Sequence, residues 1–432
     1  MNFYSTNKTS PPVDFKEATI KGLAPDKGLF FPEILPQIEK DFIQNINNYT
    51  NAEIAYRVIA PYVSDSIPPK VLQGIVEETI DFDIPLIKVS DNIFSLELFH
   101  GPTLAFKDVG ARFMSRCLGY FAKEKQEKVI VLVATSGDTG GAVANGFFNV
   151  DGVDVVILYP SGKVSSVQEK QLTTLGGNIH ALEVEGNFDD CQRMVKETFS
   201  DEALNKKIFL TSANSINVAR WLPQQFYYFF AWKQWADKDN PPVISVPSGN
   251  FGNICAGLLA HKSGLPVKHF MAACNANEVV PKFFSSGKYQ PQKAIATISN
   301  AMDVGDPSNF VRILEMYKND EEGLKKIMSS VSISDEVTKD TLKEVLEKEN
   351  YLLDPHGAVA FTALQQYLSL HKTDKGIFLE TAHPVKFYDV VEPVIQRPVP
   401  IPESVQEQLK KEKKSIKMAA QNSALKEFLK NI

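Results

Sequence analysis

The chain has 432 residues, of which 44% are hydrophobic and 23% are charged, and its formal net charge is −6. These proportions are typical of soluble globular proteins and argue against disorder, and at about 150 residues per domain the length predicts two or three domains. Because the charge is slightly acidic and no dense basic tract precedes the C-terminal region, we expect neither a nucleic-acid nor a membrane partner.

The four cysteines form no metal-binding or disulfide pattern. They stand far apart, without a C-x-x-C pair, at Cys117, Cys191, Cys255 and Cys274, so neither a metal site nor a disulfide framework is predicted. The N-terminus lacks the basic segment and apolar run of a secretory signal, and no stretch approaches the roughly 20 apolar residues of a membrane span. We therefore expect a cytoplasmic protein.

Residues 1–90 predict a small, mainly helical N-terminal domain. Helical patterns such as NAEIAYRVIAPYV and PPKVLQGIVEETI occur there, with Pro61, Pro68 and Pro69 marking breaks. We expect residues 91–432 to form the second domain, since short β-branched runs here alternate with glycine-rich turns and helical patterns. The predicted strands are 129–135, 153–160, 178–186, 208–214, 242–248, 267–275 and 376–382. Such strands indicate an α/β fold with doubly wound parallel sheets, and ligands of such sheets bind beyond the carboxyl ends of the strands.

The segment HGPTLAFKDVGARF, at 100–113, places Lys107 after an apolar, strand-like stretch. Loss of solvent lowers the pKa of a lysine amine and supplies the free base that attacks an aldehyde. Taken alone, the segment also fits a lysine whose stem lies on apolar surface and whose ammonium reaches water.

Two glycine-rich turns follow predicted strands. TSGDTGGA, at 135–142, lets backbone amides approach an anion or a planar ring, although plain helix starts look similar. It matches neither G-x-G-x-x-G nor the P-loop pattern, which weakens a dinucleotide or ATP hypothesis. SGNFGN, at 248–253, combines backbone amides, a helix N-terminus and two asparagines, a combination that suits a phosphate. The alternative is a turn in which Gly249 and Gly252 adopt special backbone angles.

The last two segments are less specific by themselves. In TAHPVKF, at 381–387, Thr381 closes a strand and can offer a hydroxyl to a ring nitrogen, whereas His383 is more typical of a structural histidine. PVPIP, at 398–402, predicts an extended linker. The remainder of the chain predicts one charged terminal helix with an apolar stripe.

Together, HGPTLAFKD, TSGDTGGA, SGNFGN and ETAHPVKF resemble the threonine synthase family, of the longer type with an N-terminal extension. This family belongs to the fold-type-II pyridoxal-phosphate (PLP) enzymes, which are related to tryptophan synthase β and cysteine synthase. The resemblance covers essentially the whole chain, including YSTN and DKGLFFP (26–32). It implies two subdomains with parallel sheets, the smaller at roughly 110–220.

The resemblance also implies a role for each motif. Lys107 is the Schiff-base lysine, and Thr381 meets the pyridine nitrogen. Asp138 lies near the ring oxygen O3′, where cysteine-synthase-like relatives carry asparagine, so it is either protonated or accepts a proton from the ring hydroxyl. The cofactor phosphate is held by Gly249, Asn250, Phe251, Gly252 and Asn253.

The implied substrate is O-phosphohomoserine, which requires a second phosphate site. The segment ANSINVAR, at 213–220, offers Asn214, Ser215 and Arg220, and arginine suits a phosphate through its paired donors. Lys163 is a weaker candidate, with two serines beside it, because its segment also fits a capped helix start.

The implied reaction uses Lys107 repeatedly as a base, releases phosphate from Cγ and adds water at Cβ to give threonine. Two alternatives stay open. One is a serine or threonine dehydratase, or a sulfhydrylase, on the same fold, which needs no site for a substrate phosphate. The other is a non-catalytic protein that binds a phosphometabolite. The sequence is compatible with a monomer or a homodimer.

Overall fold

The structure is a computed structural model, and it describes residues 1–63, 65–125, 128–205 and 207–432. Its strands are β1 (Asn2–Ser5), β2 (Val13–Asp14), β3 (Phe30–Pro32), β4 (Leu86–Lys88), β5 (Ile93–Glu97), β6 (Val129–Ala134), β7 (Val153–Pro160), β8 (Ile179–Glu185), β9 (Phe209–Thr211), β10 (Val243–Pro247), β11 (His269–Cys274), β12 (Met328–Ser332), β13 (Gly376–Glu380) and β14 (Ile416–Ala419).

Helices surround these strands. They are α1 (Phe15–Lys21), α2 (Lys40–Gln44), α3 (Asn51–Val63), α4 (Pro69–Thr79), α5 (Lys107–Lys125), α6 (Asp138–Phe147), α7 (Ser166–Thr173), α8 (Phe188–Phe199), α9 (Glu202–Asn205), α10 (Val218–Trp221), α11 (Gln225–Gln234), α12 (Gly252–Lys262), α13 (Val279–Ser286), α14 (Phe310–Met316), α15 (Glu321–Ile327), α16 (Asp335–Glu349), α17 (Pro355–Leu370), α18 (Tyr388–Ile395), α19 (Glu403–Lys410) and α20 (Asn422–Lys430).

The N-terminal region contains a small sheet that its sequence did not predict. Strands β1, β2 and β3 form a three-stranded antiparallel sheet in the order β2-β1-β3. The two predicted helices are present as α3 and α4. Pro61, which was expected to mark a break, instead stands inside α3 in its last turn, and the helix ends two residues later, at Val63.

The larger sheet has six strands in the order β12-β11-β10-β13-β5-β4. All its neighbours are parallel except β4, which pairs antiparallel with β5 at the edge. The strands β10 and β13 are buried throughout, as expected for a sheet with helices on both faces. Their carboxyl ends carry SGNFGN and TAHPVKF, so these two motifs are brought to the same edge.

The smaller sheet has five parallel strands in the order β14-β8-β7-β6-β9. Strand β6 ends at Ala134, directly before TSGDTGGA, and β9 ends at Thr211, separated by one residue from ANSINVAR. The carboxyl ends of adjacent parallel strands thus present these two motifs side by side.

The C-terminal region differs from the single helix expected. It consists of α19, strand β14 and helix α20. Strand β14 pairs with the edge of β8, where its backbone gains ladder hydrogen bonds that a helix would not make with the sheet. Leu425 and Leu429 of α20 join the apolar cluster on this sheet. In the described residues no helix is long and apolar enough to cross a membrane.

Candidate active site

Lys107 is the first residue of α5, and its segment is fixed by the chain that follows β13. The Phe106 amide donates to the Thr381 carbonyl at 2.8 Å, and the His383 amide donates to the Leu104 carbonyl at 3.0 Å. Leu104 has φ 56°, a left-handed conformation that is rare for a branched residue. Backbone strain of this kind often marks a functional site.

The surroundings of the Lys107 amine favour its neutral form. Burial lowers the pKa of Lys107 from its ordinary value, and the positive charges of Lys386 and Arg220 lower it further, whereas Asp138 raises it. The amine that the sequence singled out is therefore poised to act as a nucleophile or base.

Asp138 begins α6 directly after TSG and is almost fully buried. Its Oδ1 accepts from Gln168 Nε2 at 3.0 Å and lies 2.8 Å from Lys386 Nζ. Burial opposes ionisation, but the charges of Lys386 and Lys107 hold the pKa of Asp138 well below its ordinary value. Of the two states considered from the sequence, these contacts favour the carboxylate that accepts hydrogen bonds.

Lys386 is a site residue that sequence reasoning missed, although it stands inside the TAHPVKF motif. Its ammonium is buried and donates to the Thr103 carbonyl at 2.7 Å. The signal that could have found it is Asp138 itself, since a buried carboxylate requires a cationic or hydrogen-bonding partner.

The SGNFGN loop follows β10 and begins α12. Phe251 has φ 61° and packs its ring against Phe310 with centroids 5.7 Å apart. The backbone amides of 249–253 meet no acceptor among the described residues. Asn253 Nδ2 is buried and also unpartnered, while its Oδ1 accepts from the Tyr228 hydroxyl at 2.9 Å. These unused donors suit a phosphate at the helix N-terminus.

Two other residues of the loop have structural neighbours. Asn250 Nδ2 donates to Ser215 Oγ at 2.7 Å, and its Oδ1 accepts from the Ser308 amide at 2.7 Å. A Cβ placed on Gly249 would lie 2.6 Å from Met302 Cα, so glycine is needed there for close backbone packing. The Asn250 side chain therefore joins the loop to ANSINVAR.

The ANSINVAR segment begins α10, which Asn217 caps by accepting from the Ala219 amide at 2.9 Å. Arg220 is buried, its Nη1 donates to the Ala213 carbonyl, and its Nε has no partner among the described residues. Burial lowers the pKa of Arg220 to about 10, so it remains charged at neutral pH. A buried guanidinium that forms no ion pair within the described chain suits an anionic ligand.

The remaining candidates are distributed as follows. Thr381 is nearly buried at the end of β13, on the segment that anchors Lys107. Lys163 is exposed, and no contact in the described chain joins it to the other candidates. Ser165 forms a capping box with Gln168 at the start of α7, as in the capped-helix alternative. His383 Nδ1 accepts from the Val385 amide at 3.1 Å, and burial lowers its pKa to about 4, which fits a structural role.

Three family models match this chain. The model for pyridoxal-phosphate dependent enzymes matches residues 85–379, that for the threonine synthase N terminus matches 2–80, and that for the threonine synthase C-terminal region matches 357–429. The chain belongs to the threonine synthase family. As in fold-type-II PLP enzymes, its catalytic unit is built on parallel sheets covered by helices.

Relatives in the threonine synthase family match nearly end to end. The threonine synthase of Serratia marcescens is 45% identical over 406 residues, which cover 94% of this chain and 93% of that protein. The crystal structure of threonine synthase from Escherichia coli is 40% identical, with a TM-score of 0.91 and complete coverage of both chains. The PLP-bound threonine synthase from Brucella melitensis is 33% identical, with a TM-score of 0.95 and coverage of 100% and 99%. These matches favour threonine synthase over both alternatives considered from the sequence.

The residues present fit PLP. The unpartnered amides of 249–253 and Asn253 Nδ2 suit its phosphate, and the Lys107 amine with its lowered pKa suits its aldehyde.

Proposed function

We propose that this chain converts O-phosphohomoserine and water to threonine and phosphate, with PLP attached to Lys107. The observation that carries the proposal is the Lys107 amine itself. It stands at the meeting point of the two sheets, among Asp138, Lys386 and Arg220, with its pKa lowered by burial. An enzyme of the threonine synthase family needs such an amine both to bind the cofactor and to move protons.

When bound, PLP supplies an electron sink for carbanions formed next to the amino group. In the proposed site the amides of 249–253 and Asn253 Nδ2 would hold its phosphate, and the Thr381 hydroxyl would meet its ring nitrogen. Asp138, whose contacts favour the carboxylate, would accept a hydrogen bond from the ring oxygen.

Lys107 is the proposed base. Its amine would take protons from the substrate and return them. Because burial and, to a smaller extent, the neighbouring cations Lys386 and Arg220 disfavour its protonated form, its neutral form is available at lower pH than for an exposed lysine.

Asn214, Ser215 and Arg220 are proposed to bind the substrate phosphate, with Lys163 as a weaker candidate. Arg220 supplies a buried positive charge, and Ser215 lies 2.7 Å from the Asn250 side chain of the cofactor loop. Two phosphates are thus proposed to bind on neighbouring segments. A dehydratase or sulfhydrylase would not need the second of these sites.

We further propose the domain limits and the surroundings of the enzyme. Strand β4 already belongs to the six-stranded sheet, so we place the end of the N-terminal unit before residue 86, close to the limit of 90 expected from the sequence. The smaller subdomain, roughly 110–220, is built on β6 to β9, and β14 of the C-terminal region adds a fifth strand to its sheet. All four cysteines are free and buried, which is compatible with the cytoplasm. A monomer or a homodimer is expected, and sedimentation velocity distinguishes them.

The proposed activity is tested by measuring phosphate release and threonine formation from O-phosphohomoserine. The parent protein with PLP is expected to form both products in equal amounts, and Lys107→Ala is expected to form neither. Serine and threonine serve as alternative substrates. Keto-acid formation from these, with no phosphate released from O-phosphohomoserine, would instead identify a dehydratase.

A further inference from the structure

A buried ion pair connects the segment after β13 to helix α6. Lys386 Nζ lies 2.8 Å from Asp138 Oδ1, and the exposed fractions of the two side chains are 0% and 6%. The same ammonium donates to the Thr103 carbonyl at 2.7 Å, and Gln168 Nε2 donates to the same carboxylate oxygen at 3.0 Å. Burying two charges is costly unless their geometry is good and further hydrogen bonds satisfy them, and both conditions hold here.

The pair lies where the two sheets meet. Lys386 follows strand β13 of the six-stranded sheet, while Asp138 begins helix α6, which follows β6 of the five-stranded sheet. Thr103 belongs to the loop that leads into Lys107, and its hydroxyl and amide both donate to Asp108, in the first turn of α5. Lys386 therefore links three segments that surround the Lys107 amine.

We propose that Lys386 is a positioning residue for the reaction, which holds the Asp138 carboxylate ionised and, together with it, fixes the charge that faces Lys107. The inference rests on the proposed role of Lys107. It requires no contact between Lys386 and the substrate, because Lys386 acts through Asp138 and Lys107.

The two members of the pair act on Lys107 in opposite directions. Beyond the lowering by burial, Asp138 raises the pKa of Lys107, whereas Lys386 and Arg220 lower it. Lys386 also faces Asp108 and His383. Removing Lys386 should therefore raise the pKa of Lys107, and removing the charge of Asp138 should lower it.

The test measures how fast the cofactor-free protein bonds to PLP, followed by the yellow absorbance, between about pH 6 and pH 10. The rate rises with pH as the Lys107 amine loses its proton. Lys386→Met is expected to move this rise up by about one pH unit, and Asp138→Asn to move it down by about as much. The double variant removes one charge of each sign, so the net charge that faces Lys107 is again that of the parent and the rise should return to within about half a unit of the parent.

Lys268→Met is the control. Lys268 also forms an ion pair, with Asp374 (Nζ to Oδ1, 2.5 Å), but this pair does not contact the site. The profile of this variant should coincide with that of the parent. Shifts of the same sign in both single variants, or unshifted profiles in proteins with parental circular dichroism, would overturn the proposal. If Lys386→Met does not fold, Asp138→Asn and the double variant carry the test, since the downward shift and its reversal are still required.

Failure of this inference can be told apart from failure of the proposed function. Borohydride reduction followed by peptide mapping identifies the lysine that bonds to the cofactor. If that lysine is not Lys107, the proposed function fails together with the inference. If it is Lys107 and the profiles coincide, only the role of Lys386 is refuted.

Discussion

The substitution Arg220→Met removes one positive charge from the proposed substrate-phosphate site and keeps most of the side-chain volume. Arg220 is only 2% exposed. Its Nη1 already donates to the Ala213 carbonyl, whereas its Nε has no partner among the described residues. A phosphate bound here gains at least one charged hydrogen bond that water does not screen.

Losing one charged contact to a desolvated partner costs about 2–5 kcal/mol, which corresponds to roughly thirty-fold to several thousand-fold. The lower half of this range is expected, because one N–H group of the guanidinium already donates to the Ala213 carbonyl and is not available to the phosphate. The fold itself should tolerate the change, since the arginine forms no ion pair in the described chain and methionine adapts to irregular gaps.

The assay compares kcat/KM for O-phosphohomoserine with the absorbance of the bound cofactor. Arg220→Met should lower kcat/KM by about thirty-fold or more while the cofactor spectrum stays that of the parent. Arg193→Met is the control, because Arg193 is an exposed arginine on α8, paired with Asp190, and it should leave kcat/KM unchanged. A variant that loses its colour, yet regains full turnover when excess PLP is added, would place Arg220 in the cofactor site and refute the reasoning.

Three further substitutions test other parts of the structure. Gly249→Ala places a Cβ 2.6 Å from Met302 Cα, so the loop of residues 249–253 must shift. The binding free energy of PLP, measured by fluorescence titration, should weaken by about 1–3 kcal/mol, and an unchanged affinity would show that the position of this loop does not matter. Because burial lowers its pKa, Lys107 binds fewer protons in the folded than in the unfolded protein, and the resulting cost in stability disappears as pH rises toward the ordinary lysine value of 10.5. Lys107→Met should therefore raise the stability of the cofactor-free protein by roughly 1 kcal/mol at neutral pH and flatten the pH dependence of its urea unfolding, and an unchanged pH dependence would contradict this. Leu425→Ala leaves a cavity at a fully buried position of α20 and should lower the free energy of unfolding by about 2–5 kcal/mol in the same urea assay. Ile416→Ala, at a position 48% exposed, should lower it far less, and equal losses would contradict the packing described for α20.

The strands that surround the site could be predicted from the sequence because their composition is decisive. Continuous β-branched runs such as VDVVILYP coincide with fully buried strands, and β7 begins and ends where expected. Strand β9 is shorter than predicted, Phe209–Thr211 instead of 208–214, because the chain leaves the sheet there and turns within residues 214–217, before α10. The C-terminal region was misjudged because its apolar stripe fits a helix, while the free edge of β8 that binds β14 is a long-range feature.

In the candidate site, too, local features could be predicted from the sequence and long-range contacts could not. Each motif could be located, because a lysine after an apolar stretch and glycine-rich turns after strands are local signals. The contact between Asn250 and Ser215 and the pairing of Asp138 with Lys386 join residues 35 and 248 positions apart, and no local pattern reveals them. Lys386 looks like any lysine in the sequence, and its burial and its ion pair with Asp138 mark it as part of the site.

The central claim is that Lys107 carries the cofactor, and chemical trapping tests it most directly. The protein is loaded with PLP, reduced with borohydride, digested and mapped by mass spectrometry. We predict one modified peptide, with the pyridoxyl group on Lys107, and no modification at this peptide in Lys107→Ala. A pyridoxyl group on Lys386 or another lysine, with Lys107 unmodified, would contradict the assignment of the site.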